Sequence, residues 1–256
     1  MTVRSYILTI AGFDPSGGAG VLADIKTIEA LRCYGVAVST ANTVQNDNTF
    51  RNCYWTPIET IKEQLRILTE RFPIKVVKIG VIEDWEKLNQ IVDFLWSYND
   101  QIKIILDPVL SSSSRFDFDE SSQKSNMRST DLFEKILNKI YLLTPNYNEI
   151  QKLYPQKTID NAILTIQHRT NLLLKGGHRD DNIGKDQLFT KSGQAFILNP
   201  RTSNISEKHG SGCILSSAIA VHISKGFPIL KACVRAKRFT EQRLSSNPSL
   251  LAYYNI

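Results

Sequence analysis

Tyr6-Ile7-Leu8-Thr9-Ile10-Ala11-Gly12-Phe13-Asp14-Pro15-Ser16-Gly17-Gly18-Ala19-Gly20 opens as an apolar, β-branched run and breaks into a loop dense in turn formers. The run reads as a buried strand and the loop as its abrupt end. Beyond it Val21, Leu22, Ile25, Ile28 and Leu31 fall near helical spacing, with Asp24 in the first turns. Strand, glycine loop and helix make one unit, and the chain repeats that alternation. Strands are expected at 36–41, 76–79, 102–106, 141–144 and 172–175, and a hairpin at 187–189 and 195–198 through Lys191-Ser192-Gly193. Helices are expected at 85–98, 131–140, 146–154, 159–169 and from 228 to about 244. A further helix opens at Thr56-Pro57-Ile58-Glu59, with Thr56 as cap, Pro57 in the first position and Glu59 completing a capping box. Residues 111–128 are Ser-rich, polar and without periodicity, the pattern of a loop or flap.

Alternation of this kind predicts an α/β fold, a three-layer α/β/α arrangement around a mostly parallel sheet. No composition break divides the chain, so 1–256 is expected to be one domain. Ligands in such folds bind outside the carboxyl ends of the strands. Gly12, Gln45, Gly80, Asp107, Asn146 and Lys175 each follow a predicted strand and are expected to converge on one edge.

The chain has 256 residues, 42% of them hydrophobic and 22% charged, enough for a sizeable core and against overall disorder. The net charge is +6, but its Lys and Arg are scattered, which points to anionic substrates and away from nucleic acid. Cys33, Cys53, Cys213 and Cys233 form no C-x-x-C pair, and the four His are isolated from one another, so no zinc site is expected. The opening residues lack a signal-peptide core and no apolar run reaches membrane-spanning length. A cytoplasmic protein fits these features.

Lys208-His209-Gly210-Ser211-Gly212-Cys213-Ile214-Leu215-Ser216-Ser217-Ala218 reads as a glycine turn feeding a helix. Gly210 and Gly212 allow close backbone approach, and the unpaired N–H groups of the first turn favour an anion such as phosphate. Cys213 at that helix start is expected to carry a lowered thiol pKa. The same residues read equally as a glycine loop before a helix with a buried Cys.

Several motifs, in order, resemble the hydroxymethylpyrimidine/phosphomethylpyrimidine kinases of the ribokinase-like superfamily. They are residues 11–20 with Ala23-Asp24-Ile25-Lys26-Thr27, Tyr34-Gly35, Gln45-Asn46, Lys78-Ile79-Gly80, Leu106-Asp107-Pro108-Val109, Thr144-Pro145-Asn146 with Glu149, Lys175-Gly176-Gly177-His178, and His209-Gly210-Ser211-Gly212-Cys213. The resemblance implies ATP- and Mg²⁺-dependent phosphorylation of 4-amino-5-hydroxymethyl-2-methylpyrimidine and then of its monophosphate, in thiamine diphosphate biosynthesis. It implies that Asp24 accepts a hydrogen bond from the pyrimidine amino group and that Gln45 pairs with the ring edge. Gly12, Val81 and Val109 would line the ring pocket. Lys175, Asn146 and Glu149 would serve ATP, and Asp107 and Glu149 the metal. The amides of 210–213, from Gly210, Ser211, Gly212 and Cys213, would hold the migrating phosphoryl group. Cys213 would orient the alcohol and accept its proton late. Relatives in this resemblance are often homodimers.

Each residue also has a plainer reading. Asp24 suits the positive end of a helix dipole, and Asn146 with Glu149 is a capping box. Lys175 would be a solvated strand-end cation, and Val81 and Val109 core. The sequence departs from the family pattern at Ile214, where a hydroxyl is usual, and at Ser111-Ser112-Ser113-Ser114-Arg115, where a flap cation is usual. Pyridoxal or pyridoxine kinase is the alternative with the same chemistry, and a pyrimidine-binding sensor the alternative without it.

Overall fold

The computed structural model describes residues 4–110, 126–176, 184–202 and 205–254. Its elements run β1 (Tyr6–Phe13), α1 (Gly20–Ala30), β2 (Tyr34–Gln45), β3 (Phe50–Trp55), α2 (Ile58–Arg71), β4 (Val76–Ile79), α3 (Trp85–Tyr98), β5 (Lys103–Leu106), α4 (Asn126–Leu137), β6 (Leu142–Leu143), α5 (Tyr147–Leu153), α6 (Ile159–Gln167), β7 (Asn171–Leu174), β8 (Asp186–Phe189), β9 (Ala195–Leu198), α7 (Ser211–Ser224) and α8 (Ile229–Leu244). All strands join one sheet in the order β3-β2-β1-β4-β5-β6-β7-β8-β9. The interior pairs from β2 to β7 are parallel, and β3, β8 and β9 run antiparallel at the two edges. This is the α/β architecture expected from the alternation.

Strand period decides which helix each residue meets, because successive side chains point to opposite faces. Leu8 and Ile10 of β1, Val77 and Ile79 of β4 and Leu106 of β5 pack with residues of α2 to α6. Ile7, Val76 and Ile105 pack instead with residues of α1, α7 and α8. Among the described residues no helix is long and apolar enough to cross a membrane.

The structure adds one element and corrects two expectations. β3 had been assigned no element; its polar residues Arg51 and Asn52 mask a strand that pairs with β2 from Ala41 to Gln45. The turn between them is made by Asn46, whose Oδ1 accepts from Asn48 N at 2.9 Å and Thr49 N at 2.7 Å. At α2 the cap residue is Pro57, without a side-chain cap bond, so the Thr56/Glu59 capping box does not form. The expected flap at 111–128 falls largely outside the described residues, and 126–128 belong to α4. Gly177 and His178 also lie outside them.

Candidate active site

The period-2 rule carries past the strand ends. Thr9 and Lys78 are register partners on β1 and β4, on the sheet face that meets α1 and α7. Asp107 follows β5 with the parity of Ile105, Thr144 follows β6 with that of Leu142, and Lys175 follows β7 with that of Leu173. One row of polar side chains therefore lies along the carboxyl edge, under the start of α7.

That row carries a chain of buried charges. Lys175 Nζ donates to Asp107 Oδ1 at 2.8 Å and stands 3.8 Å from Glu149 Oε2. Thr144 Oγ1 and Ser216 Oγ each donate to Asp107 at 3.3 Å. Burial pushes the Asp107 carboxyl up, but the Lys175 and Lys78 ammoniums outweigh it and hold it below the usual range. At Glu149 burial wins, helped by the Asp107 charge, and its pKa is raised despite Lys175. Two neighbouring carboxyls are thus pushed in opposite directions, a pattern common at catalytic sites. Asn146 and Glu149 form the reciprocal capping box of α5, with Asn146 N donating to Glu149 Oε2 at 2.7 Å and Glu149 N to Asn146 Oδ1 at 2.9 Å. Structural cap and site member are the same residues: a β-bridge joins Asn146 to Lys175.

The glycine turn sits against this charge chain. Gly210 caps α7 in the left-handed region at φ 75°, and a Cβ there would lie 2.1 Å from Gly18 O. Only glycine tolerates that combination. A Cβ on Gly212 would lie 3.3 Å from Lys175 Nζ and 3.4 Å from Asp107 Oδ2. The amides of the first turn of α7 therefore open beside the ammonium. The loop 14–20 is locked below by Asp14, which accepts from Ser16 N and Ala19 N, each at 2.9 Å, and pairs with His209 Nε2 at 2.8 Å.

Cys213 is half-buried at the start of α7. Its expected low pKa is corrected. Burial pushes the thiol up to about 11; Lys78 and the Gly20 N–H oppose that, while Asp24 and Asp107 add to it. Desolvation here outweighs the helix terminus. Asp24 lies in a second polar cluster. It is fully buried, with Ser217 Oγ at 2.7 Å and Lys78 Nζ at 3.0 Å on Oδ1, and Thr9 Oγ1 at 2.5 Å and Lys78 Nζ at 2.8 Å on Oδ2. Those partners engage both carboxylate oxygens within the protein.

Of the residues expected to line a ring pocket, Gly12, Gln45 and Val81 lie at the ends of β1, β2 and β4, and Val109 lies past the end of β5. A Cβ on Gly12 would lie 3.0 Å from Val81 Cγ1, and Thr40 Oγ1 donates to Val81 O at 2.7 Å. Val81 and Val109 are half-buried. Gln45 stands at the carboxyl end of β2, three residues past the Phe13–Asn42 pair, and its buried Oε1 has no hydrogen-bond partner among the described residues.

The model of the family described as phosphomethylpyrimidine kinase matches residues 14–255. The chain belongs to the phosphomethylpyrimidine kinase family. It is 34% identical to the hydroxymethylpyrimidine/phosphomethylpyrimidine kinase of Aquifex aeolicus, over 97% of this chain and 98% of that one. Against the bifunctional thiamine biosynthesis protein ThiDN of Methanocaldococcus jannaschii it is also 34% identical, over 91% of this chain, but it spans only 51% of that longer protein. The crystal structure of phosphomethylpyrimidine kinase from Clostridium difficile superimposes with a TM-score of 0.74 at 30% identity, covering 93% of this chain and 98% of that one. A pyridoxal kinase from Staphylococcus aureus, solved with AMP-PCP, superimposes with a TM-score of 0.80 at 23% identity, over 95% and 89% of the two chains. That likeness speaks to the fold.

The sequence did not disclose that Lys78 and the hydroxyls of Thr9 and Ser217 enclose Asp24, nor that the hydroxyls of Thr144 and Ser216 reach Asp107. Lys78 was hidden in Val76-Val77-Lys78-Ile79, which reads simply as a strand. The signal was available in its parity, which sets a charge on a face that must be buried. Ile214 is fully buried, and the hydroxyl on this stretch of α7 that reaches a carboxylate of the row is that of Ser216.

Proposed function

We propose that this chain transfers the γ-phosphoryl group of ATP to the hydroxymethyl oxygen of 4-amino-5-hydroxymethyl-2-methylpyrimidine, and then phosphorylates the monophosphate to the diphosphate. The observation that carries the reading is the approach of Gly212, with the amide turn it belongs to, to the Lys175 ammonium and the Asp107 carboxylate. Phosphoryl transfer is loose and largely dissociative, so positioned donors and charge do most of the work. The amides of 210–213 hold the migrating group, and Lys175 lies against its oxygens. The alcohol oxygen forms the new P–O bond as the bond to ADP breaks. Its proton leaves late, toward Cys213 in its thiolate form. The pyrimidine lies over Gly12 between Val81 and Val109, and Gln45 Oε1 accepts from the ring's amino group.

The donor set suits Mg²⁺. Asp107 and Glu149 share one close ammonium, which leaves room for a hard cation. Among the described residues no group of three or more His, Cys, Asp or Glu could cage a metal, so waters and phosphates would complete its shell. When bound, the ion neutralises charge developing on the phosphates. The same proposal includes a homodimer, supported by the edge position of β3 and the exposed Val44 and Tyr54 beside it.

A coupled ADP-release assay tests the reading, with the hydroxymethylpyrimidine, its monophosphate and pyridoxal in parallel and with chelator as control. Turnover on the two pyrimidines that stops in chelator is expected. Preference for pyridoxal, or tight pyrimidine binding without ADP release, overturns it.

A further inference from the structure

Residues 245–254 show no apolar periodicity and contribute nothing to either core. Their contacts are nevertheless specific. The chain leaves α8 and crosses the residues that precede the glycine turn. Lys208 is only 3% exposed, and its Nζ donates to Asn247 O and Ser249 O, each at 2.5 Å. The next residue, His209, donates its backbone N–H to Leu250 O at 2.9 Å. Leu251 lies on the loop below, where a Cβ added to Gly18 would come within 2.8 Å of its Cδ2.

The segment is itself braced. Asn247 Nδ2 donates to Leu251 O at 2.9 Å, and Tyr253 N to Ser246 Oγ at 3.0 Å. Arg243 Nη1 donates to Tyr254 O at 2.7 Å, and the Tyr254 hydroxyl donates to Ala23 O of α1 at 3.4 Å. A strap anchored at α8 and α1 thus fixes two consecutive residues directly before Gly210. Their position sets where the amides of 210–213 point. Groups aimed at developing charge lose most of their effect when they drift by a fraction of an ångström.

We infer that residues 245–254 are a working part of the phosphate-binding turn, and that Lys208 is the positioning residue through which they hold it. The inference rests on the reading that the amides of 210–213 hold the migrating phosphoryl group. It goes beyond that reading by assigning the turn's aim to a segment remote in sequence. Gly12, Gln45 and Val81 lie outside the strap's contacts, so the effect falls on transfer and leaves pyrimidine binding alone.

The test uses the full chain with Lys208→Met, Lys208→Arg and Tyr254→Phe. Lys208→Met is expected to lower kcat by about tenfold to thirtyfold while the pyrimidine KM stays within about twofold. Lys208→Arg keeps a cation for the two carbonyls and is expected to stay within about threefold of the unchanged chain. Tyr254→Phe, which removes the strap's anchor on α1 but leaves the Lys208 clamp in place, should lower kcat less than Lys208→Met does. Unchanged kcat in Lys208→Met, or a rise in pyrimidine KM matching the loss of kcat, overturns the inference. Hydrogen exchange on the unchanged chain gives a readout independent of turnover and of whether Lys208→Met folds. The His209 amide should exchange as slowly as the interior of α7, and fast exchange there also overturns the inference. If the unchanged chain releases no ADP with any of the three acceptors, the proposed reaction fails, and exchange alone then judges the strap.

Discussion

Asp24 and Asp107 are both buried carboxylates on the same side of the sheet, and their company is opposite. Asp24 is enclosed by Thr9, Lys78 and Ser217, and both members of its ion pair with Lys78 are 0% exposed. Asp107 pairs with Lys175, whose side chain is 15% exposed and reaches the carboxyl edge beside the glycine turn. The first cluster is closed to ligands. The second opens beside backbone donors and a second carboxyl, Glu149, whose pKa is raised. A saturated buried network specifies structure, because each member is already satisfied. A network that opens at an edge, among groups whose pKa values are driven apart, can do chemistry. Changes in the first cluster should therefore appear in stability, and changes in the second in turnover.

The largest effect is expected at Cys213, which lies between the two clusters. Cys213→Ala should lower kcat by about 10² to 10⁴, the usual range for a positioned proton acceptor. Its melting temperature should stay close to that of the unchanged chain. Because the thiol is pushed up to about 11, the thiolate is scarce at neutral pH. Its share grows about tenfold per pH unit below that value. The kcat profile should climb across the alkaline range, and Cys213→Ala should flatten it. A flat profile in the unchanged chain would leave the thiol as an orienting group only.

Next comes the closed cluster. Lys78→Met strands the Asp24 carboxylate in the interior, which costs about 3–5 kcal/mol. Chemical unfolding should show that loss, and adding Asp24→Leu should recover much of it. Asp24→Asn that folds normally but raises the pyrimidine KM would reverse the comparison and return Asp24 to the substrate pocket.

Asp14 supplies the third test, in the loop under the turn. Burial raises its carboxyl, but bonds from His209, Ser16 and Ala19 outweigh it and hold the pKa below the usual value. A carboxyl depressed in the folded state stabilises the protein above its unfolded pKa, and that contribution is lost as pH falls through the folded value. Asp14→Asn should therefore cost about 1.5–3 kcal/mol near neutrality, as for hydrogen bonds to a charged group. The difference between the two chains should shrink in acid. An offset that stays constant with pH would mean that the charge is irrelevant and shape alone matters.

The fold was legible because β1, β4, β5, β6 and β7 are short apolar runs that stop at Gly, Asp-Pro or Thr-Pro, with amphipathic helices between them. β3 was not, since an edge strand need not be apolar and Asn46 makes its turn through a side chain rather than through glycine. The convergence of Lys175, Asp107 and Gly210 on one edge was legible because each stands where a strand or turn ends, and Glu149 follows Asn146 in a recognisable capping box. The enclosure of Asp24 was not legible, because position on a helix says nothing about partners from other elements. Thr9, Lys78 and Ser217 come from three separate elements, and only the packed sheet brings them to one carboxylate. The pKa of Cys213 could not be foreseen for a related reason. A helix terminus is local and visible in sequence, whereas desolvation depends on everything packed around it. Residues 245–254 carry no periodic signal at all, because their contacts run through backbone carbonyls and irregularly spaced side chains.

The smallest effect sharpens the comparison most. Every polar atom of the Asp24 cluster has a partner, while Gln45 Oε1 is buried and has none among the described residues. An acceptor in that state costs free energy in the protein alone and regains it when a donor arrives. If the donor is the pyrimidine amino group, Gln45→Ala removes about one hydrogen bond from the complex, and the pyrimidine KM should rise about tenfold. ATP affinity and kcat should hardly move, since the turn and Lys175 are untouched. The same substitution removes an unsatisfied acceptor, so stability should hold or rise slightly, the reverse of what Lys78→Met does. Loss of stability in Gln45→Ala with an unchanged KM would place Gln45 with Asp24 among the structural groups, and the contrast between closed and open clusters would fail at its most exposed point.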